Sequence, residues 1–201
     1  MIKKIGIYIG AFDPIHSGHL EFAQDALKTH ELDKLYFLVE PTPRYRQGVK
    51  ALHHRVNMAI LGVANEPKLG TIVPQTKASL DDYIKLIQSR FNDHSIALII
   101  PDNALKRFFH LPNLLSYNFG NMEIVVGLNA QSPEEINLRL RLLSETSGLK
   151  FSYSWFKAES SRINSTEIKK KLKQGVKPDE ISKSVWEYIV KQKLYAPAPN
   201  A

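Results

Sequence analysis

The chain of 201 residues contains no cysteine, so disulfides and thiolate metal sites are excluded. No apolar stretch approaches the ~18 residues needed to cross a bilayer. Lys3 and Lys4 precede an apolar run, but Asp13 and Pro14 interrupt it and no small-residue cleavage pattern follows, so a first strand is expected there rather than a signal peptide. Two common phosphate motifs are missing as well. No Gly-x-Gly-x-x-Gly follows the first apolar run, and no Gly-x-x-x-x-Gly-Lys-[Ser/Thr] occurs anywhere. There is no His-Glu-x-x-His to suggest zinc, no recognisable nucleic-acid module, and no internal repeat, low-complexity tract or long linker.

What is present is ordinary in bulk and uneven in charge. Hydrophobic residues make up 43% and charged residues 23%, values of a globular protein that buries a substantial core. One domain over residues 1–201 is expected, with a C-terminal helical part over residues 156–201. Absence of cysteine together with this composition fits a cytoplasmic location. The net charge is +7. From Phe156 onward ten Lys or Arg face five Asp or Glu, so most of the excess lies in the last quarter. Lys169, Lys170, Lys171 and Lys173 read as a solvated helix face from which one side chain can address a phosphate.

Ile5, Ile7, Tyr8 and Ile9 form a β-rich apolar run, and Gly10-Ala11-Phe12-Asp13-Pro14-Ile15-His16-Ser17-Gly18-His19 follows it directly. Strand, tight loop and helix are therefore expected in that order. The helix, Ser17 to His30, carries Leu20, Ala23 and Leu27 as a packing stripe, and its first turn offers free amides and a positive dipole end to an anion. His16 and His19, three residues apart, place both rings on one side of that turn, where two ring N–H groups can bracket a phosphate. Surface histidines capping a loop would share the same spacing. Gly10 lets the backbone approach a ligand without a Cβ in the way. Asp13 is expected to accept backbone amides and stabilise the loop rather than act as a base.

Further along, strands at Lys34–Glu40, Thr71–Val73, Ile96–Ile100, Ile124–Gly127 and Lys150–Trp155 alternate with helices at Leu52–Ala64, Leu80–Phe91 and Pro133–Leu143. Ser132, Pro133 and Glu134 make a sound helix start. Helices at Ser165–Lys173 and Pro178–Lys193 close the chain. Such alternation predicts an α/β fold with a doubly wound parallel sheet covered on both faces, its ligands beyond the carboxyl ends of the strands.

The pattern Gly-x-Phe-Asp-Pro-x-His-x-Gly-His resembles the signature of the nucleotidyltransferase superfamily with the HxGH motif, and within it most the nicotinate or nicotinamide mononucleotide adenylyltransferases. Asn164-Ser165-Thr166-Glu167-Ile168-Lys169 is similar to the Ser-Ser-Thr-x-Ile-Arg element of that family, with asparagine for the first serine and lysine for the arginine, which keeps the charge but loses the bidentate fork. Val185, Tyr188, Ile189, Leu194 and Tyr195 resemble its closing helix. The resemblance implies a Rossmann-like fold and transfer of a nucleotidyl (AMP) group from ATP to a phosphate-bearing acceptor with release of pyrophosphate. The acceptor it implies is nicotinate mononucleotide, giving deamido-NAD in NAD biosynthesis. His16 and His19 would donate to the phosphates. Gly10, Ala11, Phe12, Asn164, Ser165, Thr166 and Lys169 would hold ATP, and Mg²⁺ would ride mainly on the ATP phosphates, with no metal site on the protein itself.

The acceptor half departs from the family. Pro41-Thr42-Pro43-Arg44-Tyr45-Arg46 stands where the family has Pro-Pro-His-Lys, Lys77 to Asp82 where it has Tyr-Thr-x-x-Thr-Leu, and Ile100-Pro101-Asp102 where it has Gly-x-Asp. Phe108, Phe109 and His110 lie where a stacking tryptophan is expected. Candidate acceptor residues are Arg44, Arg46, Arg55, Asp102, Phe109 and His110. Arg44 and Arg46 would also seat an acidic acceptor other than a pyridine nucleotide. Alternatives are a sister nucleotidyltransferase using another acceptor or CTP, and a non-catalytic nucleotide-binding regulator. The partners expected are ATP and a small anionic acceptor, with membrane and nucleic acid disfavoured and self-association left open.

Overall fold

A computed structural model describes residues 3–41, 43, 48–73, 80–109, 120–147, 151–159, 163 and 165–196, the side chains of 80, 81, 106–109, 146 and 147 excepted. Strands and helices alternate: β1 (Lys4–Gly10), α1 (Ser17–Thr29), β2 (Lys34–Val39), α2 (Leu52–Val63), β3 (Leu69–Ile72), α3 (Leu80–Arg90), β4 (Ser95–Pro101), α4 (Asp102–Phe109), β5 (Met122–Leu128), α5 (Pro133–Ser147) and β6 (Ser152–Lys157). Two helices, α6 (Ser165–Lys173) and α7 (Lys183–Lys191), follow. All six strands are parallel, in the order β3-β2-β1-β4-β5-β6. This is the doubly wound α/β arrangement the alternation predicts, with its switch point between β1 and β4. Among the described residues no helix is long and apolar enough to cross a membrane.

Strand side chains point alternately to two apolar layers. Tyr8, Leu35, Phe37, Ala97, Ile99, Val125 and Phe156 meet α1, α2, α6 and α7 on one face. Ile5, Ile7, Ile96, Leu98, Ile124 and Val126 meet α3, α4 and α5 on the other. The C-terminal helices therefore lie on the same face as α1.

Several local expectations shift. The buried stripe of α1 is Phe22, Ala23 and Ala26, with Leu20 and Leu27 only partly covered. The two alanines let the helix sit close to the sheet while the Phe22 ring reaches Tyr8 and Phe156. The final helix begins at Lys183 rather than Pro178, because Ser182 caps it by accepting the Val185 N–H. The short α4 has no counterpart in the sequence reading. It is only eight residues long and follows β4 without a break.

Candidate active site

The loop between β1 and α1 leaves the carboxyl edge of the sheet at its switch point. Its path is unusual for non-glycine backbone: Phe12 has a φ of 46°, in the left-handed region. The residue tolerates this because its ring is buried edge-on against Tyr8, Phe37 and His19. That ring also explains Gly10, where a Cβ would stand 2.8 Å from Phe12 Cζ. The glycine makes room for the Phe12 ring, whose burial leaves the Phe12 backbone as the part that can line a nucleotide.

His16 ends the loop as the N-cap of α1, extended in backbone and only 5% exposed. Its N–H donates to His19 Nδ1 at 3.3 Å, and the two rings stack with centroids 3.7 Å apart. Because Nδ1 of His19 accepts, the neutral ring carries its proton on Nε2 and presents a donor there. The first turn of the helix is less open than expected. Ser17 N–H donates to the Glu180 carbonyl and His19 N–H to the His16 carbonyl, each at 2.9 Å. Donation to an anion at this end thus falls mainly to the histidine rings.

The second phosphate element comes from far along the chain. His16 Nε2 and Ser165 Oγ are hydrogen bonded at 2.9 Å, across 149 residues. Gly18 receives the same segment from the other side, since a Cβ there would lie 3.1 Å from Ile163 Cβ. The glycine of the His-x-Gly-His pattern is therefore an approach point for the chain leading into α6. Thr166 is exposed in the first turn of that helix, and Asn164 lies outside the described residues.

Lys169, one turn beyond Ser165 on the same helix face, donates to Asp13 Oδ2 at 2.6 Å. The Asp13 carboxyl is fully buried and the Lys169 side chain 27% exposed, so the ammonium stands at the edge of solvent. Asp13 Oδ1 accepts the Tyr195 hydroxyl at 2.6 Å and the Lys50 N–H at 3.3 Å. Burial, and after it the Asp13 charge, push the Tyr195 phenol far up from its ordinary range, so it remains a donor. Asp13 is an acceptor, as its loop position suggests, but its strongest donors are side chains. The sequence places Tyr195 only among the residues that resemble the family's closing helix. The signal that could have found its polar role is a tyrosine at an apolar closing position, whose hydroxyl needs a partner once buried.

The acceptor candidates scatter in role. Arg55 is 1% exposed, and its guanidinium donates to the carbonyls of Lys50, Ala11, Glu40 and Pro41 at 2.7 to 2.9 Å. It ties α2 to the loops after β1 and β2. Asp102 is equally buried. Its Oδ2 accepts the N–H groups of Asn129, Ala130 and Gln131, its Oδ1 that of Asn103, and so it organises the loop after β5. Arg44, Arg46 and His110 lie outside the described residues, as does the side chain of Phe109.

A parallel sheet with paired histidines in the loop at its switch point, joined by a helix from the far end of the chain, defines a nucleotide-handling α/β protein. The cytidylyltransferase-like family model matches residues 7–171, and the chain belongs to that family. A "Probable nicotinate-nucleotide adenylyltransferase" of Endomicrobium trichonymphae is 26% identical over 203 residues, covering 96% of this chain and all of that protein. Another of that name, from Cytophaga hutchinsonii, is 30% identical over 117 residues, 55% of this chain and 60% of the relative. Among solved structures, a Plasmodium falciparum nicotinic acid mononucleotide adenylyltransferase complexed with NaAD superimposes with a TM-score of 0.72. It is 17% identical over 96% of this chain and 97% of its own, a likeness of fold.

Proposed function

We propose that the protein transfers the adenylyl group of ATP to nicotinate mononucleotide, forming deamido-NAD and releasing pyrophosphate. The relatives matched along the whole chain carry that activity in their names. The observation that carries the site assignment is the His16–Ser165 hydrogen bond, which joins the two segments that resemble the phosphate-holding motifs of the family. An oxygen of the acceptor phosphate attacks the α-phosphorus, the new P–O–P bond forms, and the α–β bond breaks as pyrophosphate leaves with its electron pair. No protein nucleophile is needed, so catalysis consists of alignment and of stabilising charge on the phosphates. His19 donates from Nε2, and His16 is held in place through Ser165. Ser165 and Thr166 open α6 toward the triphosphate, and Lys169 supplies a cation at the solvent edge. Gly10, Ala11 and Phe12 offer backbone to the nucleotide.

Magnesium enters with the substrate. Among the described residues no three acidic or histidine side chains stand together as a cage, and Asp13 is already held by Lys169 and Tyr195. That donor set suits an ion carried on triphosphate oxygens, where it neutralises charge. On the acceptor side Arg55 shapes the loop that leads into Arg44 and Arg46, and Asp102 shapes the loop after β5. Phe109 and His110 belong to the same half by resemblance. The two arginines favour, as a second reading, an acceptor more acidic than a pyridine nucleotide.

The test is pyrophosphate release with Mg²⁺ and either ATP or CTP. Nicotinate mononucleotide, nicotinamide mononucleotide, phosphopantetheine and glycerol phosphate are supplied in turn as acceptor. Release with ATP and nicotinate mononucleotide is expected. Release only with a non-pyridine acceptor would replace the proposal with the second reading, and saturable ATP binding without any release would point to a regulator.

A further inference from the structure

The helix α6 meets the loop after β1 at two points, Ser165 on His16 and Lys169 on Asp13, at 2.9 and 2.6 Å. Those helix residues are four apart on one face, and their loop partners are three apart. The first contact involves His16, one of the two histidines read as bracketing the phosphates. The second contact is a buried carboxylate holding a lysine that the same reading assigns to the triphosphate. A third residue, Tyr195, comes from the chain beyond α7 and grips the other oxygen of that carboxylate at 2.6 Å. Lys50 N–H reaches the same oxygen at 3.3 Å, and Lys50 Nζ stands 5.1 Å from the centre of the Tyr195 ring. Arg55 closes the group by binding the Ala11 carbonyl, two residues before Asp13.

We propose that Tyr195 is a positioning residue for the triphosphate: through Asp13 it sets how firmly Lys169 is held back from the incoming phosphates. This rests on the reading of ATP as substrate. Lys169 and Tyr195 share one acceptor, the Asp13 carboxylate. A buried carboxylate distributes its negative charge among the donors that face it, and each donor removed strengthens the demand on the rest. With the Tyr195 hydroxyl in place, Asp13 is satisfied on Oδ1, and Lys169 can exchange Oδ2 for a phosphate oxygen at the partly open edge of the site. Without it, Lys169 becomes the dominant counter-charge of a buried anion and is retained. The apolar face of Tyr195 belongs to the core, where it is buried with Leu194. Tyr195→Phe therefore removes the hydroxyl while keeping the packing.

The test compares wild type, Tyr195→Phe, Asp13→Asn and the double variant. ATP affinity is measured by calorimetric titration without acceptor, and KM and kcat are measured with both substrates. Tyr195→Phe is expected to weaken ATP binding and raise KM for ATP by about tenfold, the value of one hydrogen bond to a charged group. Neither KM for the acceptor nor kcat should move as far. In the Asp13→Asn background, where no carboxylate retains Lys169, the same substitution should leave ATP affinity unchanged. Wild-type ATP affinity in Tyr195→Phe overturns the proposal, whatever its melting temperature, and so does a loss that persists in the Asp13→Asn background. Because the titration needs no turnover, it decides this point even if nicotinate mononucleotide proves not to be the acceptor, while failure of the wild type to bind ATP would refute the function itself.

Discussion

His19 donates from a defined nitrogen because the His16 N–H occupies the other one, and that is a property of two residues and one helix turn. On the proposed reading His19 donates to the phosphates, so replacing it by alanine should lower kcat by ~10²-fold with little change in stability. His16→Ala should lower it similarly and also release Ser165, which a denaturation curve would register as a small loss. His30, at the end of α1, makes a different prediction. Its Nε2 is buried with no hydrogen-bond partner among the described residues, and its ring lies edge-on to Phe156. Burial first, then the nearby Lys4, lower its pKa below the ordinary 6.5, with Glu123 opposing. The unfolded chain therefore takes up a proton before the folded one. Stability from this residue is complete above pH 6.5 and declines as pH falls below it toward the folded value. Urea midpoints at about pH 7.5 and about pH 5.5 should differ less in His30→Gln than in wild type.

At the scale of elements, β5 and the loop after it show what packing adds to pattern. Gly127 faces α1, and a Cβ there would run into the Phe22 ring, with Phe156 2.8 Å away. Gly127→Ala should destabilise the fold by roughly 1–3 kcal/mol, and Phe22→Leu in the same chain should recover part of it. Both are readable from thermal or urea melts. Asp102→Ala leaves four backbone N–H groups without their acceptor and should cost about 2–3 kcal/mol, with a higher KM for the acceptor as the 129–131 loop loosens. The alternation of strands and helices was legible because parallel strands buried on both faces are continuous apolar runs. The histidine loop was legible because Pro14, Gly18 and the two histidines occupy fixed offsets. What sequence could not reveal was which side chains close on which. Gly10 answers to Phe12, Gly18 to Ile163, Asp13 to Lys169 and Tyr195, and Arg55 to four carbonyls. Apart from the local pair Gly10 and Phe12, those are tertiary relations among residues up to 182 positions apart, invisible to local period and propensity.

Across the molecule, the sheet order places the first loop at the switch point, and the C-terminal helices return to cover it. The Glu180 carbonyl accepts the Ser17 N–H, Ser184 Oγ donates to the Leu61 carbonyl, and Tyr188 joins His54 and Asn57 of α2 through its hydroxyl. The end of the chain thus builds one side of the site begun by its first strand. On the proposed reading this assembly makes deamido-NAD. Chromatographic identification of the product formed from ATP, Mg²⁺ and nicotinate mononucleotide tests it most directly. The proposed activity predicts deamido-NAD and pyrophosphate in equal amounts, with the rate falling ~10²-fold in His16→Ala. It would be contradicted by no dinucleotide from the folded, ATP-binding wild type, or by product formation at an undiminished rate in His16→Ala.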